Sequence, residues 1–201
     1  MAHRRRPLAR AFLLNTLVLV VELVGGVQAS SLSLIVDGVH NFSDEMALGF
    51  LVLAYTLRQG LSGRLLRAAN LFNSVGLIAI SVVLLWQVVE RFSQPVPVLG
   101  VVPVVAGIVG AVGNWGVARV LREPAREDAA IRLAYVHNLG DTLLSLGPAV
   151  AGALVLASGR PLFDTVVALV IAGIILVTTI RSVAGSHEEL LWPENVACGH
   201  E

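Results

Sequence analysis

Six apolar stretches, each long enough to cross a bilayer, constrain this chain more than any other feature. They lie near residues 10–29, 33–57, 68–91, 98–121, 128–157 and 162–183, and a membrane-crossing helix takes about 20 residues. The connections are short, the longest running from Arg58 to Arg67. Only 14% of the residues are charged and mean hydropathy is +0.80, whereas soluble domains carry roughly 25% charge. The expected fold is therefore an all-α membrane protein with six transmembrane helices. Formal net charge is zero, which gives no reason to expect nucleic acid binding. The basic start, Met1 to Arg10, followed by an apolar run resembles the opening of a signal peptide. The run from Ala11 to Val27 contains Asn15, Glu22 and two glycines, and more spans follow, so it reads as a retained first helix.

The arginines set an expected orientation. Four precede span 1, Arg58, Arg64 and Arg67 surround the second connection, Arg119, Arg122, Arg126 and Arg132 surround the fourth, and Arg181 ends span 6. These share one side; only Arg91 and Arg160 fall on the other. The positive-inside rule then places both termini in the cytoplasm. The expected organisation is a cytoplasmic N-terminal segment over 1–9, a transmembrane domain over 10–184, and a short cytoplasmic tail over 185–201. No soluble domain is expected.

Ionisable residues inside a span are costly and are functional candidates by default. Span 2 carries Asp37, His40, Asp44 and Glu45; span 5 carries His137 and Asp141. The sequences around them nearly repeat, as Val39-His40-Asn41-Phe42-Ser43-Asp44 and Val136-His137-Asn138-Leu139-Gly140-Asp141. In each, His and Asp are spaced i, i+4 and share one helix face. Two such faces brought together offer two imidazoles and two carboxylates, a ligand set for Zn²⁺ and, less selectively, Co²⁺ or Fe²⁺. A single His-x-x-x-Asp can be a buried hydrogen-bonded pair. Two copies in different spans of an apolar protein have no evident structural task. Spans 2 and 5 run in opposite directions, so spans 1–3 and 4–6 would form an inverted repeat of 3+3 helices with the site between them.

These features resemble the cation diffusion facilitator, or cation efflux, family. The likeness runs through Asn15, Glu22 and Gly25–Gly26, then Ser31 to His40 leading into Asp44, then Glu90-Arg91-Phe92 with Pro95. It continues through Asn114, Arg132 and Ala134 before His137 and Asp141, and Asp164 at the opening of span 6. The resemblance implies metal–proton exchange out of the cytosol, with His40, Asp44, His137 and Asp141 as the transport site, Zn²⁺ as the transported substrate, and a homodimer. Family members usually continue into a cytoplasmic metal-binding domain; here a homodimer is expected through transmembrane contacts alone, in the bacterial inner membrane. The connection between spans 2 and 3 lacks His, Asp, Glu and Cys, which argues against an accessory metal site there.

Other polar residues carry two readings each. Asp37 is a candidate to attract cations at the exit or relay protons, or else a helix-start hydrogen bond. Glu22 is a packing hydrogen bond or a ligand. Asn41 and Asn138 flank the site and orient ligands, or bond between helices. Asn15, Asn73, Gln87 and Asn114 are interhelical contacts. Gly107, Gly110 and Gly113 serve close helix packing. Pro148 should loosen span 5 a few turns beyond Asp141, and Pro103 should do so in span 4. His187, Cys198 and His200 offer metal capture in a tail that otherwise reads as disordered. No covalent chemistry is implied, so the chain is not expected to be an enzyme. The rival readings are transport of Fe²⁺, Co²⁺ or Mn²⁺, an intramembrane metalloenzyme, and a passive channel or membrane metal sensor.

Overall fold

The computed structural model describes residues 2–56 and 63–189. Arg58, Cys198 and His200 lie outside the described residues, as do the side chains of Arg64, Arg67 and His187. Among the described residues there are seven α-helices and no strand. They are α1 (Ala2–Ala29), α2 (Leu32–Thr56), α3 (Gly63–Ser93), α4 (Val101–Leu121), α5 (Ala129–Leu144), α6 (Leu146–Ser158) and α7 (Leu162–Glu189), with a 3-10 turn at Pro124–Arg126 joining α4 to α5. Five spans are long and apolar enough to cross a membrane: Arg6–Ala29, Leu71–Ser93, Val101–Leu121, Ala130–Ser158 and Leu162–Arg181. α2 is the sixth by length, since its 25 residues reach about 37 Å; Asp37, Asp44 and Glu45 make it less apolar than the others. The protein is an integral membrane protein built of helices.

The fifth apolar stretch is not one straight helix. It breaks at Ser145, between α5 and α6, one turn beyond Asp141 and nearer to it than expected. Pro148 is the cause: it has no N–H for the Leu144 carbonyl four residues back, and its ring crowds that carbonyl. The kink expected at Pro103 is absent. α4 begins at Val101 and runs unbroken to Leu121, so Pro103 sits in a first turn, where amides lack intrahelical partners anyway.

The helix starts that matter most have local causes. Asp128 caps α5, its side chain accepting from the Ala130 and Ile131 amides at 3.0 and 3.2 Å. The turn into α2 passes through Ser30 at φ 53°, and the first α2 amides are met from another helix. Asp164 of α7 accepts from Leu32 N at 2.6 Å and from the hydroxyls of Ser31 and Ser33, each at 2.6 Å. Arg91 closes the same junction by donating to the Ser30 carbonyl, and lies 3.9 Å from Asp164.

α1 packs against α2 and α4, α4 against α5 and α6, and α3 against α7. Exchanging the first three spans with the last three maps α1–α2 onto α4 with α5–α6, and α2–α3 onto α6–α7, in keeping with a 3+3 inverted repeat. The contact of α2 with α7 breaks the symmetry. Two apolar clusters form. One joins α2, α3 and α7 through Val36, Val88 and Ile171. The other joins the start of α1 to the ends of α2 and α4 and the start of α5, through Leu8, Leu51, Leu121 and Ile131. This second cluster marks the arginine-rich end of the bundle. The α1–α2 turn and the start of α7 mark the far end.

Candidate metal centre

His40 and Asp44 stand one turn apart on α2, and His137 and Asp141 one turn apart on α5. The bundle sets the two faces against each other, and one ligand atom from each of the four lies within 4.8 Å of all the others. The pairing is crossed. His40 Nε2 lies 3.1 Å from Asp141 Oδ1, and His137 Nε2 lies 2.8 Å from Asp44 Oδ1. Within each helix the separations are longer, 3.7 Å for His40–Asp44 and 3.7 Å for His137–Asp141. A tetrahedron with metal–ligand bonds near 2.05 Å has edges of about 3.3 Å, so four ligand atoms within 4.8 Å of one another need only a small inward shift to close on an ion. The second carboxylate oxygens of Asp44 and Asp141 have no hydrogen-bond partner. The donor set and its spacing therefore fit one small divalent ion.

A cavity of about 430 Å³ ends at His40, Asp44 and His137. Its walls come from the second half of α2, the first half of α3, the start of α5 and the end of α7, including Phe50, Asn73, Leu133 and Thr178, so it lies toward the arginine-rich end. His137 is 48% exposed to it, whereas His40 is 10% exposed. On the far side the helices close on small residues. A methyl group at Gly107 would lie 2.7 Å from the Ala149 amide, and one at Gly26 would lie 2.8 Å from Ile35 Cγ1. Gly100 and Gly152 likewise bring α4 and α6 into backbone contact. Close packing thus explains Gly107 as expected, and the same device seals the far half.

The remaining polar residues fall around the four. Asn41 donates to Glu22 Oε2 at 2.5 Å, and Asn138 donates to the Ala134 carbonyl of its own helix at 2.9 Å. Neither amide nitrogen is bonded to one of the four side chains. Glu22 and Asp37 are fully buried, at 0% and 1% exposure, on the far side of the centre. Asn73 donates to the Ser43 hydroxyl at 2.9 Å at the cavity wall, and Asn114 donates to Ser145 at 3.0 Å; both are interhelical contacts, as expected. Sequence reasoning gave Glu45 no specific role. It accepts from Asn15 at 2.9 Å and from Thr16, tying the ligand-bearing stretch of α2 to α1. Its charge inside an apolar span marked it as a candidate, and its partners on α1 give it a positioning task.

A family description, the cation efflux transmembrane domain, matches residues 8–191. The zinc transporter ZitB of Escherichia coli is 30% identical over 198 residues, covering 94% of this chain and 63% of the relative. A cadmium, cobalt and zinc/H(+)-K(+) antiporter of Bacillus subtilis is 28% identical over 182 residues, covering 86% of this chain and 58% of the relative. The metal cation efflux system protein CzcD of Cupriavidus metallidurans is 27% identical over 177 residues, covering 83% and 55%. The chain thus spans less than two thirds of the length of these relatives.

Proposed function

The chain belongs to the cation efflux family, and we propose that it exports a divalent metal ion, zinc first, from the cytosol in exchange for protons. The observation that carries this is the convergence of two imidazoles and two carboxylates within 4.8 Å at the end of a cavity lined by the second half of α2 and the start of α5. The positive-inside rule assigns the arginine-rich end, and with it the cavity, to the cytoplasm of a bacterial inner membrane. The described state is then inward-facing and poised to load. The proposed organisation keeps a cytoplasmic start over 1–9, a transmembrane domain over 10–184 and a cytoplasmic tail over 185–201.

His40, Asp44, His137 and Asp141 are the proposed ligands. Their summed charge with neutral imidazoles is −2, matching one divalent ion. Zinc accepts a small tetrahedron of nitrogen and oxygen, whereas Ca²⁺ and Mg²⁺ want six or more oxygens. Zinc binds neutral imidazole and ionised carboxylate, so protons compete with it. A site that loads metal at neutral pH and meets a more acidic outer side exchanges one for the other, and alternating exposure needs only rocking of the two helix groups. Cadmium and cobalt, named for the Bacillus relative, are the next cargo to test, with K⁺ as a second counter-ion. An intramembrane metalloenzyme wants three protein ligands and an open water position; four protein ligands here fill the tetrahedron. Pairing of two copies through transmembrane contacts completes the proposal, and mass measurement in lipid tests it.

The deciding experiment is zinc transport by proteoliposomes under an imposed pH gradient. Wild type should move zinc against the proton gradient, and Asp44→Ala and Asp141→Ala should abolish it while remaining folded. Full transport by either variant would remove the four-ligand assignment.

A further inference from the structure

Two buried carboxylates lie outside the metal centre, and among the described residues no arginine pairs with either. Glu22 of α1 and Asp37 of α2 are 0% and 1% exposed. Glu22 Oε2 takes the Asn41 amide at 2.5 Å. Glu22 Oε1 and both oxygens of Asp37 have no partner. Asp37 stands one turn before Asn41, whose amide Glu22 holds, and a methyl group at Gly38 would lie 3.3 Å from Glu22 Cβ, so the two carboxyl groups stand beside each other where α1 meets α2. From α4, Gly110 faces Glu22, and a methyl group there would overlap Oε1; the buried residues of α4 include no charged one. The charges acting on the pair are Asp44 on Glu22, and His40 and Asp141 on Asp37.

Ionised carboxylates only accept hydrogen bonds. Two of them side by side, buried and with unpartnered oxygens, cannot both be ionised. One proton between them supplies the missing donor. A metal ion is the poorer occupant: Oε2 is already taken by Asn41, and Oε1 is backed against Gly110. We propose that Glu22 and Asp37 form a proton-binding site, separate from the metal ligands, whose bound proton holds the far halves of α1, α2 and α4 shut while the metal centre faces the cavity. The inference rests on the exporter reading.

The position supports the role. Glu22 lies seven residues from the far end of α1 and Asp37 five from that of α2, about 10 and 8 Å along the helices. Neither lines the cavity. Opening the far side must part α1, α2 and α4 where they meet at Gly25, Gly26 and Gly110. Water then reaches the pair, both groups can ionise, and two like charges oppose reclosure until one proton is taken up from the outer side. Each closure of the far side thus consumes the proton that the preceding opening released.

Glu22→Gln tests this, because it keeps the size, keeps an oxygen for Asn41 and offers a permanent N–H to Asp37. At neutral pH the infrared difference between wild type and variant should show a carboxylic-acid C=O band, shifted in D₂O, that the variant lacks. Hydrogen exchange in the far halves of α1 and α2, corrected for its intrinsic pH dependence, should rise in metal-free wild type by up to about tenfold per pH unit, the limit for a one-proton equilibrium. In Glu22→Gln it should stay at the low-pH level. A difference spectrum without an acid band, or equal pH dependence in both proteins, overturns the proposal. If the variant does not fold, Asp37→Asn must give the same two results, and a wild type without any acid band refutes the proposal by itself. Zinc binding by calorimetry runs alongside. Equal affinity in wild type and variant supports a site separate from the ligands, and loss of one bound zinc in Glu22→Gln means that Glu22 is a ligand and overturns it. A wild type that binds no zinc defeats the exporter reading, while the infrared result still decides the proton site.

Discussion

Asp164 is the residue whose removal should cost the bundle most, and the cost can be worked from its contacts. It is fully buried and accepts from Leu32 N, the Ser31 hydroxyl and the Ser33 hydroxyl, each at 2.6 Å, with Ser33 N at 3.4 Å. Asp164→Ala strips the α2 N-terminus of its acceptor, worth about 1–2 kcal/mol as a cap. It also leaves Arg91, 16% exposed and 3.9 Å away, without its carboxylate; breaking a buried pair costs about 3–5 kcal/mol. The two terms share one side chain and do not add, so the total is about 4 kcal/mol. At roughly 2–4 °C per kcal/mol for a chain of this size, melting should fall by about 8–16 °C. Asp164→Asn keeps an oxygen for Leu32 N and should lose about half as much. The assay is thermal unfolding of purified protein in one detergent, followed by fluorescence. A melting point for Asp164→Ala within 2 °C of wild type would refute the argument that α2 is anchored from α7. So would an Asn variant as damaged as the Ala variant, because the loss would then be steric.

Three further outcomes are expected. Zinc affinity should fall as pH drops, because protonated His40 and His137 cannot ligate; with two protons displaced the fall approaches about 100-fold per pH unit, and calorimetry at pH 5.5 and 7.5 measures it. His40→Asp exchanges a nitrogen for an oxygen, adds a negative charge and shortens the reach, so cadmium or manganese should gain on zinc in proteoliposomes, and the pH profile should shift; an unchanged ranking and profile would mean that His40 is not a ligand. Pro148→Ala returns an N–H to the Leu144 carbonyl and should join α5 to α6, raising the melting point by a few degrees and slowing transport several-fold if the break at Ser145 is a hinge; an unchanged rate shows that it is not.

The membrane fold was legible because hydropathy over 20 residues reports what a bilayer requires. Helix ends were less so. α1 starts at Ala2, well before the expected span at residue 10, because the hydrogen-bond ladder does not stop where the apolar run stops. Pro148 was recognised as a disturbance, but its effect falls at Ser145, just after the Leu144 carbonyl that Pro148 leaves without a donor. Pro103 was misread because its effect depends on where α4 begins. The four candidate ligands were legible for a different reason: charged groups in an apolar span stand out, and their i, i+4 spacing repeats.

What the sequence did not disclose is which polar groups meet across helices. Asn41 sits beside His40 in the chain, yet its amide turns to Glu22 on α1; Asn138 sits beside His137, yet bonds within its own helix. Asp164 and Leu32 are far apart in sequence and meet only because α7 starts where α2 starts. Such partners are fixed by crossing geometry, which small residues set. Gly110 admits Glu22, Gly107 admits the Ala149 backbone, and Gly26 admits Ile35. The same closeness separates the two halves of the bundle. Where glycine and alanine line the contacts, the helices seal on backbone. Toward the arginine-rich end, between Phe50, Leu133 and Thr178, a cavity remains. The four candidate ligands stand at the boundary between these two kinds of packing, where a modest rocking of α1, α2 and α4 would exchange one opening for the other without moving any ligand along its own helix.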